Sequence, residues 1–432
     1  MGGRDDEPAA AAFRRRARAF LAERLPPRRS GGLPQVMGAG SDDLDEARTF
    51  LEQLGPWGVP RWPEEAGGLG ATAEEAAIVA EELARFDAPD LYPFMVGLSL
   101  VGPTVLEHGT AAQQARWLPP IRTGAEVWCQ LFSEPGAGSD LAALACRAEP
   151  AGSGGAAQPE EGTWRVSGQK VWSSRAHYSR WGLLLARTDP DVPKHAGITC
   201  FALDLAQAGV EVRPLVQLNG DTHFNEVFLD GAVVPDADRI GLRGGGWGVA
   251  MTTLASERVA IGQGGAQLEA DQLLDLVRRS GRASDPLVRQ RAAVLFTRLR
   301  LARLNTARTP SQPPALGSGA KIWMSDTMKA ASALALDLYG PAAVATAGGD
   351  PEADRWRTLF LTGPSLSIRG GTDEVMRTIL GERVLGLPPE PRVDKHVPFR
   401  NLPRWGSGGT QQRAEAGDVG VAPPPRGSGG CP

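Results

Sequence analysis

Paired cysteines are missing from this chain. Cys129, Cys146, Cys200 and Cys431 stand far apart in 432 residues. They form neither the framework of a disulfide scaffold nor the spacing of a metal site. They fit a reducing compartment, and the expected location is the cytoplasm. The five histidines (His108, His177, His195, His223, His396) are equally scattered, so no metal is expected. No apolar run reaches the ~18 residues that would cross a bilayer. Met1–Ala12 is acidic and alanine-rich, where a secretory leader needs a basic start and an apolar stretch. Positive charge is not in excess either. The 46 Lys and Arg face 50 Asp and Glu, a net charge of −4, which argues against a nucleic-acid partner.

What remains is a globular composition, 42% hydrophobic and 22% charged, in a chain long enough for two or three domains. Apolar residues at Phe13, Ala17, Phe20, Leu21 and Leu25 keep a helical period until Pro26-Pro27 stops it. Leu44–Leu54 repeats the pattern. Thr72 with Glu75 predicts a capping box and a helix to Ala88. Helical patterns continue over Tyr92–His108 and Ala111–Ile121. From residue 126 the character changes. Short apolar runs at 128–132, 162–166, 181–187, 198–203, 210–214 and 224–229, separated by Gly, Pro and Asp, predict strands. Ala151–Pro159 reads as a flexible surface loop. Helices return with one from about Gly246 to about Arg279, then Asp285–Thr306, Ala320–Tyr339 and Gly371–Leu380, the last capped by Thr372. The expected fold class is α+β: an all-α N-terminal domain (1–125), a barrel-like or sandwich β domain (126–240) and a helical-bundle C-terminal domain (241–388). Residues 389–432 are rich in Pro, Gly, Ser and Arg and read as a disordered or loosely attached tail.

Two segments stand out as chemistry. Trp128–Asp140 is an apolar run that enters Ser133-Glu134-Pro135 and then Gly136-Ala137-Gly138-Ser139-Asp140. The glycines let backbone lie close to a flat or anionic ligand. The spacing is not that of G-x-G-x-x-G, and no Gly-Lys-Ser/Thr follows. Further on, Val166–Ala176 holds Trp172 beside Ser173 and Ser174. In these two segments the chain resembles the acyl-CoA dehydrogenase flavoprotein family, whose motifs read T/S-E-P-x-x-G-S-D and G-x-K-x-W-I-T/S. The resemblance runs over residues 13–388 and includes Trp62–Gly70, Phe224–Pro235, Gly244–Arg258 and Gly371–Pro388.

The resemblance implies an oxidoreductase of fatty acid metabolism that takes two hydrogens from Cα and Cβ of an acyl-CoA. A carboxylate takes the α-proton, in a dry site that raises its pKa, and FAD accepts the β-hydride. Gln130, Leu131, Ser133, Gly138 and Ser139 would touch the flavin or its ribityl-phosphate chain. Trp172 would cover one face of the ring, with Ser173 beside it and Ser174 reaching N5. Thr372 and Glu374 would touch FAD from the last helix. Arg278 would reach the FAD pyrophosphate of a neighbouring subunit, although its segment, Arg278-Arg279-Ser280-Gly281, has Ser where the family has Phe. Arg258, Ser139 and Gly371 would lie along the substrate. Many members keep their base in a Y-E-G-T segment, and here Ile368-Arg369-Gly370-Gly371-Thr372 puts Gly370 at that position. Another branch keeps it in L-x-x-E-R, matched by Leu254–Arg258, so Glu257 is the candidate base; the plainer reading is a surface Glu-Arg pair. Gly370 would still offer its N–H to the thioester oxygen. The implied partners are the acyl-CoA, an electron-transfer flavoprotein and further subunits, as a homodimer, homotetramer or mixed complex. A non-catalytic or partner-dependent subunit, and an oxidase using O2, are the alternatives.

Overall fold

The computed structural model describes residues 6–28, 43–151, 162–264, 268, 270–308, 314–345, 349–392 and 394–403. The loop anticipated at Ala151–Pro159 falls almost wholly outside them. Five helices come first: α1 (Asp6–Ala22), α2 (Leu44–Leu54), α3 (Ala73–Leu83), α4 (Gly102–His108) and α5 (Ala111–Thr123). The capping box at α3 forms as anticipated. Thr72 accepts from the Glu75 N–H at 3.2 Å, and the Thr72 N–H donates to the Glu75 carboxylate at 2.9 Å. The single helix anticipated over Tyr92–His108 is instead a 3-10 turn, Tyr92–Phe94, a π-helical stretch, Val96–Val101, and α4. Pro103 has no N–H for the carbonyl four residues back, and the Gly102 N–H reaches five back to Gly97 O.

Eight strands follow among the described residues: β1 (Trp128–Leu131), β2 (Arg147–Pro150), β3 (Thr163–Ser174), β4 (Trp181–Arg187), β5 (Ile198–Asp204), β6 (Val210–Leu215), β7 (Phe224–Pro235) and β8 (Arg239–Ile240). Their order is β6-β7-β3-β2-β4-β5-β8, with β1 parallel to β4. Every residue of β4 is buried, which explains its unbroken apolar run. Leu183 and Leu185 face the N-terminal helices, packing with Trp128, Trp117 and Val105. Leu184 and Ala186 face the other way, into a core with Trp164 and Val166 of β3 and Val227 and Leu229 of β7. The sheet thus buries β4 on both faces, one against the N-terminal helices and one in a core of its own strands.

Among the described residues seven helices follow: α6 (Gly246–Gly264), α7 (Ala270–Arg279), α8 (Pro286–Arg308), α9 (Gly317–Tyr339), α10 (Ala342–Ala345), α11 (Pro351–Leu366) and α12 (Asp373–Arg383). Leu273, Val288, Leu334, Trp356 and their neighbours form their core. The helix anticipated from Gly246 to Arg279 is two, α6 ending at Gly264 and α7 starting at Ala270. The tail is also not loose throughout. Residues 394–403 return to the sheet and bury Phe399, while 404–432 lie outside the described residues.

Candidate active site

The two glycine- and tryptophan-bearing segments are clamped to each other from beneath. The Glu134 carboxylate accepts from Lys170 Nζ at 2.7 Å and from the N–H groups of Ala145 and Cys146 at 2.7 and 2.9 Å. Lys170 donates again to Phe132 O at 3.1 Å. The Val171 N–H donates to Ser133 O at 2.9 Å. A buried ion pair holds only where hydrogen bonds fill its remaining valences, and three donors meet Glu134 here. Above the clamp, a Cβ added at Gly136 or Gly138 would meet nothing within 4 Å, so backbone is open on that side.

β3 is irregular against β7 between Lys170 and Ser173. The bulge places Trp172 at φ 60° and turns its ring outward, 62% exposed, edge-on to Phe224 with centroids 6.1 Å apart. Arg175, also left-handed at φ 58°, donates its N–H to His223 O and sets its guanidinium 4.2 Å over the Tyr92 ring. Burial pushes the Arg369 guanidinium below its ordinary value, and nearby Tyr92 and Glu257 oppose that fall. These contacts link the end of β3 to the Tyr92 turn, and that turn and Glu257 of α6 to Arg369. Gly370 and Gly371 sit at φ 66° and 92°, where a side chain is strained, and a Cβ on Gly371 would strike the Met376 methyl at 2.4 Å. An outward aromatic ring beside bare glycine backbone and serine hydroxyls fits a flat conjugated ring system such as FAD.

The residues singled out in the sequence lie on several elements. Ser133, Gly138 and Ser139 are on the turn, and half-buried Gln130 is on β1. Half-buried Ser174 pairs with Phe224 at the end of β3, and Glu257 is half-buried on α6. Thr372 caps α12 by accepting from the Val375 N–H at 3.2 Å, and Glu374 is exposed one position into that helix. Two of these side chains are buried. The Leu131 side chain is fully buried in the sheet core, so only its backbone can meet a ligand. Ser173 is fully buried as well, because strand alternation sends it inward while Trp172 goes out. Arg278 is not gathered here. It is exposed on α7 and paired with Asp275 at 2.6 Å. The Arg258 side chain lies outside the described residues. Sequence reasoning missed Glu134, Lys170, Tyr92, Arg175 and Arg369. The first two stood within the quoted motifs, and Arg369 stood beside the absent glutamate.

Comparison with known proteins agrees with this layout. Family models match in three parts: acyl-CoA dehydrogenase N-terminal domain at residues 7–125, middle domain at 129–231 and C-terminal domain at 244–385. The acyl-CoA dehydrogenase IpdE1 of Mycobacterium tuberculosis is 39% identical over 88% of this chain and 98% of its own length. Among solved structures, the steroid ACAD Tcur3481-Tcur3483 is 27% identical with a TM-score of 0.73, covering 89% of this chain and 98% of that one. The ChsE4-ChsE5 complex from Mycobacterium tuberculosis is 26% identical with a TM-score of 0.69, covering 88% and 98%.

Proposed function

Since this chain belongs to the acyl-CoA dehydrogenase family, whose members are FAD-dependent oxidoreductases, we propose that Glu257 is its catalytic base and the Trp172 cleft its flavin site. The observation that carries the reading is that the Glu257 carboxylate acts electrostatically on Arg369, next to Gly370, where the glutamate used by other members is absent. Gly370 donates its N–H to the thioester oxygen, where enolate charge develops. Glu257 takes and holds the α-proton. Arg369 beside it favours the ionised carboxylate, the form that can act as base. Trp172 covers the ring, and Ser133, Ser139 and Ser174 hold its polar edge and chain. Bound FAD supplies the hydride acceptor.

The substrate class is a bulky, ring-bearing acyl-CoA such as a steroid-derived thioester, and the working unit is a mixed complex with a related chain. The names of the steroid ACAD and of the two-chain complex support both points. Exposed Arg278 supports the second, completing a neighbour's cofactor site from α7. Electrons pass on to an electron-transfer flavoprotein in the cytoplasm. The test is anaerobic. A ring-bearing acyl-CoA should bleach the wild-type flavin, alone or with its co-expressed partner, faster than a straight-chain one. Glu257→Gln should keep its flavin and slow that reduction about a hundredfold or more, the scale of a lost general base. A folded protein that takes up no FAD with or without a partner overturns the reading.

A further inference from the structure

Residues 394–403 lie beyond the family-matched part of the chain, yet they are tied to the loop between β4 and β5. The Phe399 N–H donates to Val192 O at 2.9 Å and the Arg400 N–H to Pro190 O at 3.0 Å. Pro398 bridges Pro193, and Arg400 donates to the Asp191 carboxylate at 2.6 Å. Two buried cations carry this attachment onward to the glycine-rich turn. Lys194, 5% exposed, holds Asp140 at 2.7 Å on one side and Asp394 at 2.6 Å on the other. Arg187 directs its donors to main-chain oxygens: Nε to Leu144 at 3.0 Å, Nη2 to Ala142 at 2.7 Å and Nη1 to Lys194 at 3.0 Å. The Phe399 ring covers that guanidinium, with Cζ 3.5 Å from its centroid. Burial pushes Arg187 down to about 10, so the cation is held in a desolvated slot where an aromatic face counts for more.

We propose that residues 394–403 are a positioning strap for the flavin-binding turn. Phe399 fixes Arg187 and Asp394 fixes Lys194, and these two cations fix Ala142, Leu144 and Asp140. The strap touches neither substrate nor reacting atoms; it sets the shape of the turn on which Ser139 stands. This rests on the reading of Trp128–Asp140 as a cofactor site, and two measurements separate the two claims.

The first is amide hydrogen exchange of the full chain without added ligand. Phe399→Ala should speed exchange at Ala143–Cys146 about tenfold, the scale of a lost desolvated cation–π contact, with the core of α8 and α9 unchanged. Phe399→Tyr, which keeps an aromatic face, should restore protection. The second is FAD titration. Phe399→Ala and Asp394→Asn should bind FAD more weakly, and saturating FAD should return Phe399→Ala to wild-type turnover. A chain ending at residue 403 should behave as wild type. If Phe399→Ala exchanged like wild type at Ala143–Cys146, the strap would be a passive attachment and the proposal wrong. If exchange rose as stated while wild type bound no FAD, the strap would stand and the cofactor reading would fall. If exchange rose but FAD affinity in all variants matched wild type, the positioning role would be refuted.

Discussion

Lys170 and Glu134 meet at 2.7 Å with side chains 0% and 8% exposed, one from each of the segments that define the cleft. Their union explains why a glutamate sits among serine and glycine in one segment and a lysine stands two residues before Trp172 in the other.

Lys170→Met should therefore be damaging out of proportion to its size. It leaves a buried carboxylate with two N–H donors and without its paired ammonium, a loss of about 3–5 kcal/mol. Adding Glu134→Gln should recover part of it, because the uncompensated charge goes. A double-mutant cycle by urea unfolding measures the coupling, and additive single effects would show that the pair is not the clamp.

Arg369→Gln tests the electrostatics of the base. Removing a cation near a carboxylate raises that carboxylate's pKa. The acid limb of the flavin-reduction rate should move to higher pH, with the plateau less affected. A pH profile by stopped-flow decides this; an unmoved limb would separate Arg369 from Glu257.

Gly370→Glu, placed on Glu257→Gln, asks whether a carboxylate can act from the other backbone position. Gly370 is at φ 66°, so a side chain there costs about 1–2 kcal/mol. Partial return of flavin reduction with a lowered melting temperature is the expected pair of outcomes. No return of reduction in a protein that still binds FAD would mean that position 370 does not face the α-carbon.

The pH dependence of stability should have two parts. Burial, aided by Lys194 and Arg392 and opposed by Asp140 and Asp394, pushes His195 below its ordinary 6.5, with the Trp247 ring 4.7 Å away. The unfolded chain then takes up this proton first, so stability falls as pH drops below 6.5. His195→Gln should flatten that slope in thermal scans. Asp394 has the same sign in a more acidic window. Hydrogen bonds from Lys194 and Arg392 hold its carboxyl well below the usual range, so its contribution is present above 3.8 and is lost only when pH falls through the depressed value. The strap should therefore outlast mild acid.

Local signals were legible in the sequence, and long-range ones were not. Thr72 and Glu75 announced a capping box because both halves lie within one turn. The unbroken apolar run of β4 gave that strand its bounds. β3 was legible only to Val166, because the polar Ser167–Lys170 stretch is held as strand by β7. Lys170 is apolar-like in burial only because Glu134, 36 residues away in sequence, meets it. α11 carries Pro364 inside it and showed no clean period. Phe399 looked like part of a Pro- and Gly-rich tail because its partner Arg187 belongs to another domain.

The left-handed backbone at Trp172 has a consequence for how this protein can change. A non-glycine residue at φ 60° carries strain of order 1 kcal/mol, and a ring 62% exposed recovers little of it by burial. Glycine would be at ease there. A laboratory population selected for heat tolerance alone should accumulate replacements at position 172 early, and those lineages would be the ones that have surrendered the cleft. At this bulge, robustness and competence pull the chain in opposite directions.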